Sequence, residues 1–133
     1  MKTSTILFAV VAAVLAASLC IHARAADDAK KEQGLLRHVV LFEFKDGTSA
    51  EKVAEIERAF AALPEKIPAI VDFEWGTNNS PEGLDRGLTH CFLVTFEDEA
   101  GRDTYLPHPA HKKFVKLLRP HLEEAVVVDY FAR

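Results

Sequence analysis

Two runs of branched and aromatic residues, Arg37 to Phe44 and Leu88 to Phe96, carry apolar side chains at both parities. In the first, His38, Val40, Phe42 and Phe44 share one face and Val39 and Leu41 the other; in the second, Phe92, Val94 and Phe96 oppose Cys91 and Leu93. Successive strand residues point to opposite faces, so a sheet built around such strands needs a cover on each side. One layer of helices covers one side. The other side is expected to meet a second copy of the same sheet, because two identical sheets packed face to face close a symmetric homodimeric barrel.

Local signals place the remaining elements. Thr48 followed by Glu51 reads as a capping box, and Val53, Ile56, Phe60 and Leu63 then recur at 3-4-3 spacing, which predicts an amphipathic helix ended by Pro64. Ile70 to Trp75 is a second strand. The stretch from Thr77 to Gly87, rich in Asn, Gly and Pro, turns it into the Leu88 to Phe96 strand as a long-looped hairpin. Asp98 caps a helical stretch through Leu106, Pro107 interrupts it, and Pro109 opens a second piece running to about Arg119. Ala125 to Phe131 is the last strand. The order β-α-β-β-α-β predicts an α+β, ferredoxin-like fold. On this reading the first and third strands are central, parallel neighbours, which brings His38 and His90, at their starts, to the same end of the sheet.

The first 25 residues read as an address. Lys2 precedes an unbroken apolar run from Ile6 to Ala17, and Ala23-Arg24-Ala25 supplies a small-x-small cleavage site, the pattern of a secretory signal peptide. The run is shorter than the roughly 20 residues that span a bilayer. The expected product is therefore an exported chain, periplasmic or secreted, with no membrane attachment after cleavage. Residues 26–35 form a short flexible leader, and residues 36–133 the folded domain. Removing Cys20 leaves Cys91 alone, so the exported domain has no internal disulfide and gains from burial against a partner subunit. Cleavage removes two of the 16 bases and none of the 20 acids, moving the net charge from −4 to −6. Clustered Lys and Arg would be needed to neutralise phosphates, so nucleic acid is excluded as a partner.

Histidines 38, 90, 108, 111 and 121 survive processing. His111 precedes Phe114, Val115 and Leu118 by three, four and seven residues, on the apolar stripe of its helix, and Tyr105 lies just before the break at Pro107. The break would turn both side chains towards the sheet. A neutral imidazole can take a proton from carbon beside a carbonyl while a phenol holds the developing enolate oxygen, so Tyr105 and His111 are the candidate catalytic pair. A single His on an apolar face is also the ordinary pattern of a hydrogen-bonded core residue. His108-x-x-His111 lacks the i, i+4 spacing that sets two rings on one helical face for zinc, so no metal site is expected. Neither a haem-attachment motif, a Gly-rich phosphate loop nor a Gly-x-Ser-x-Gly elbow is present, and no cofactor is called for. Cys91, mid-strand between His90 and Phe92, reads as an inert packing residue.

Several pieces together resemble the stress-responsive A/B barrel (Dabb) family across Leu36 to Phe131: Arg37-His38-Val39-Val40-Leu41-Phe42, Trp75-Gly76, Thr89-His90, and above all the stretch from Tyr105 through His108-Pro109-Ala110-His111 to Phe114. The resemblance implies a dimeric ferredoxin-like barrel. In a few similar plant members, which cyclise a linear polyketide by aldol condensation, a Tyr and a His matching Tyr105 and His111 move the protons. Histidines matching His38 and His90 border the pocket there. With His108, Phe42 and Phe92 they make up the expected ligand-binding set here. Three functions are carried forward: binding of a small apolar or aromatic compound, a cofactor-independent cyclase or lyase, and a non-catalytic structural stress protein.

Overall fold

The computed structural model describes residues 34–133. The expected signal peptide and most of the expected leader lie outside the described residues. Strands β1 (Leu36–Phe44), β2 (Ile70–Thr77), β3 (His90–Phe96) and β4 (Leu122–Phe131) form one sheet in the order β2-β3-β1-β4. Helices α1 (Ala50–Ala61), α2 (Glu99–Tyr105) and α3 (Pro109–Leu118) connect them, with a 3-10 turn at Arg119–His121 leading into β4. The chain therefore has the predicted α+β, ferredoxin-like fold.

The orientation of the central pair differs from the expectation. β1 and β3 are antiparallel neighbours, as are β1 with β4 and β2 with β3. The reason is topological. The α1 crossover returns the chain as β2 in the direction of β1 with a gap between them, and the long-looped hairpin sends β3 back through that gap, necessarily reversed. His38 consequently pairs with Val94 and His90 with Phe42. Four residues of strand, roughly 13 Å, separate those positions along β1, so the two histidines lie at opposite ends of the sheet.

Local chemistry fixes the helix starts. The cap of α1 is Ser49, whose hydroxyl accepts from Lys52 N at 3.3 Å, while Thr48 donates its hydroxyl to Lys45 O and closes the preceding turn. The expected Thr48 cap is thus displaced by one residue, because both hydroxyls suit a helix start and the turn claims the first. Asp98 caps α2 by accepting from Gly101 N at 3.0 Å. A Cβ at Gly101 would stand 3.3 Å from Phe96 Cβ, so this glycine lets α2 lie close on β3. Ile56 and Phe60 of α1 and Phe114 and Leu118 of α3 are buried against the sheet. Phe60 is the hub of the core, with ring centres 4.5 Å from Phe92 and 4.4 Å from Phe114.

The helix-covered face carries Leu36, His38, Val40 and Phe42 of β1 and His90, Phe92, Val94 and Phe96 of β3, all buried. The reverse face aligns Val39 with Leu93 and Val128, and Leu41 with Cys91 and Val126. No described element covers it: Val128 is 50% and Tyr130 48% exposed. Both parities are apolar, and one is left open to solvent in the single chain.

Candidate active site

The interruption between α2 and α3 rearranges backbone hydrogen bonds and so creates the site. In a continuous helix the amide of residue 109 would donate to Tyr105 O, but Pro109 has no N–H, and His108 N makes that bond at 3.0 Å. Ala110 N would next reach Leu106 O; it donates instead to Nδ1 of His108, the cap of α3, at 3.2 Å. The Leu106 carbonyl is left over, and His111 takes it, donating Nδ1–H at 2.9 Å. That bond sets the tautomer. With the proton on Nδ1, the neutral ring presents Nε2 as an acceptor. Burial pushes His111 below the ordinary histidine pKa, against the opposing pull of the Leu106 carbonyl, and the nearby His38 and His108 rings add to the lowering.

Tyr105, the last residue of α2, is 1% exposed and lies directly against His111, with ring centres 4.2 Å apart. Its other neighbours are Phe96 at 5.1 Å and His38 at 5.8 Å, the latter edge-on. Burial pushes the phenol well above the ordinary tyrosine value, so it stays protonated and keeps a hydrogen to donate. The two shifts run in opposite directions and separate an acceptor from a donor.

His38 stands behind the pair. Its Nδ1–H donates to Asp129 Oδ1 at 2.6 Å, and Arg102 Nη1 donates to Asp129 Oδ2 at 2.9 Å. Asp129 and Arg102 escape sequence reasoning. The available signal was the inward parity of Asp129, which shares its face with Val127 and Ala125 in β4 and pairs directly with His38. Arg102 lies one turn before Tyr105 on α2.

A cleft of about 610 Å³ opens beside His111, bordered by Leu106 and Val115. Tyr105 lies beneath His111 and does not line it. On the sheet side Val127 is 53% exposed, so the inner edge of β4 is uncovered.

The other expected site residues lie elsewhere. His90, 7% exposed, is at the far end, where its Nε2–H donates to Glu57 Oε1 at 3.0 Å and its Nδ1 is 2.8 Å from Thr89 Oγ1. Trp75 and Phe92 are stacked near parallel to it. Phe42 and Phe92 belong to the core, 2% and 0% exposed. His108 is committed to the α3 cap. His38, Tyr105 and His111 are therefore brought together, with His108 near His111 but committed to the cap, and His90, Phe42 and Phe92 are not joined to them. Among the described residues no three His, Cys, Asp or Glu side chains converge as metal ligands.

Residues 36–132 match the model of the Stress responsive A/B Barrel Domain. The chain is 38% identical over 101 residues to stress-response A/B barrel domain-containing protein HS1 of Arabidopsis thaliana, covering 76% of this chain and 93% of that one. It is 31% identical over 98 residues to olivetolic acid cyclase of Cannabis sativa, covering 74% and 97%. Among solved structures, hydroxynitrile lyase from Passiflora edulis superposes with a TM-score of 0.72 at 26% identity, covering 76% of this chain and 95% of that one. A dimeric protein of ferredoxin-like fold from Bacteroides fragilis gives 0.62 at 29% identity, covering 75% and 98%.

Proposed function

The chain belongs to the stress-responsive A/B barrel family, and from that premise we propose that it is an exported homodimer that moves a proton on a small apolar or aromatic carbonyl compound at His111 and Tyr105. The observation that carries the reading is the bond from His111 Nδ1–H to the Leu106 carbonyl, which fixes the tautomer, while burial favours the neutral ring, so that Nε2 is the acceptor of a side chain that lines the cleft. Nε2 takes a proton from carbon beside a carbonyl, or from a hydroxyl. The Tyr105 hydroxyl, held protonated, donates to the oxygen on which charge develops. A cyclase that closes a ring by aldol addition and a lyase that releases hydrogen cyanide from a cyanohydrin both need such a transfer, and this chain is similar in sequence to a protein named as a cyclase and in structure to one named as a hydroxynitrile lyase. The dimer is supported by the uncovered apolar sheet face and by dimeric neighbours of similar sequence. Export rests on the sequence of residues 1–25.

A second reading, binding without turnover, is favoured by one observation: Tyr105 is covered by His111 and does not line the cleft. Assay of the protein on a β-keto substrate separates the two. Turnover lost in His111→Ala, with the dimer intact by sedimentation, supports proton transfer. Absent turnover with retained ligand binding selects the binding reading, and turnover equal to wild type removes His111 from the reaction.

A further inference from the structure

The lining of the cleft beside His111 is charged in one sense only. Lys112, Lys116 and Arg119 border it, at i, i+4 and i+7, along one stripe of α3 and the turn that follows. All three are exposed, none pairs with a carboxylate among the described residues, and no acidic residue lines the cleft. This is against the trend of a chain with net charge −4. The cleft at the hairpin loop carries Glu82 and Asp85, and the one between α1 and α3 mixes Glu55 with Lys66 and Lys113. Cations near a helix C-terminus are favoured by the helix dipole, which accounts for Lys116 and Arg119. It does not account for Lys112, which sits in the first turns of α3, where a cation opposes the dipole, and four residues from Lys116, where like charges repel. The stripe is unfavourable for the helix and complementary to an anion.

We infer that this cleft holds a small amphipathic anion, with its apolar body on Leu106 and Val115 beside His111 and its carboxylate or phosphate end against Lys112, Lys116 and Arg119. The volume of about 610 Å³ suits a ligand of that size. The inference rests on the reading of His111 as the reacting group and narrows its substrate to compounds carrying an anionic end. The three cations act by long-range attraction and flexible contacts, so they select charge and leave the shape of the apolar part to the floor of the cleft.

Calorimetric titration of the purified protein with octanoate, octyl phosphate and octan-1-ol tests this. At low salt the better of the two anions is expected to bind about tenfold more tightly than the alcohol, since three screened contacts each contribute about two- to threefold. The stronger of octanoate and octyl phosphate identifies the anionic group. The preference should vanish in the Lys112→Gln/Lys116→Gln/Arg119→Gln protein. It should also vanish for wild type in about 1 M salt, where the Debye length shrinks to about 3 Å, a readout that needs no variant to fold. Octan-1-ol binding as tightly as both anions, or a preference that survives high salt, overturns the inference. The two readings fail separately. Anion preference without β-keto turnover defeats proton transfer alone, and turnover without anion preference defeats this inference alone.

Discussion

The two ends of the sheet each bury a histidine beside aromatic rings, and they differ in what is left unbonded. At the far end His90 spends both ring nitrogens, one on Glu57 and one with Thr89, and stacks on Trp75 and Phe92. Its hydrogen-bonding capacity is used up within the fold, which is how a core histidine is tolerated. At the near end His38 is anchored by Asp129 and Arg102, but His111 is tied through Nδ1 only, to a carbonyl that the helix break set free. Burial alone therefore does not distinguish a reactive imidazole from a structural one. On the proposed function, what sets His111 apart from His90 is that its fold partner takes Nδ1 alone and leaves Nε2 as an acceptor.

The contrast can be broken in order of effect. His111→Ala should lower turnover at least about a hundredfold, the usual weight of a positioned general base, with little loss of dimer; steady-state kinetics and sedimentation check it. Tyr105→Phe should lower turnover about tenfold, the weight of one donated hydrogen bond to a developing charge, and hardly shift the melting temperature, because the ring packing against Phe96 and His38 remains. His90→Ala should do the reverse. It strands Glu57 and opens the Trp75 stack, so denaturant unfolding should show a loss of about 1–3 kcal/mol while turnover of the remaining folded protein is unchanged. A large loss of turnover in His90→Ala would erase the distinction between the ends.

The smallest effect is on pH dependence. The folded state holds His111 below its ordinary pKa, so the unfolded chain binds the additional proton as pH falls. This part of the stability is full above the ordinary value near 6.5 and is lost as pH drops through the lower folded value. The acid-side slope of melting temperature against pH should therefore be shallower in His111→Ala than in wild type.

Much of this was legible from residue order. Pro109 and the apolar run around Phe114 mark the restarted helix, and that break places Tyr105 and His111 together whatever the rest of the chain does. The uncovered sheet face was equally readable from the two-sided apolar pattern of β1 and β3. The sequence reading erred on direction: parallel central strands would have joined His38 to His90, whereas a hairpin returning through the gap between β1 and β2 sets them apart. Asp129 went unseen for a related reason. Its bond to His38 spans 91 positions and depends on the β1–β4 register, which no local spacing encodes. Ser49 in place of Thr48 reflects a choice between two adjacent hydroxyls that only the turn at Lys45 decides.

The state of the His111 ring tests the account most directly, and nitrogen-15 NMR of the imidazole reads tautomer and titration together. The account predicts a neutral ring at neutral pH with its proton on Nδ1, titrating below the ordinary histidine value near 6.5. A proton on Nε2, or a midpoint at or above that value, would contradict it.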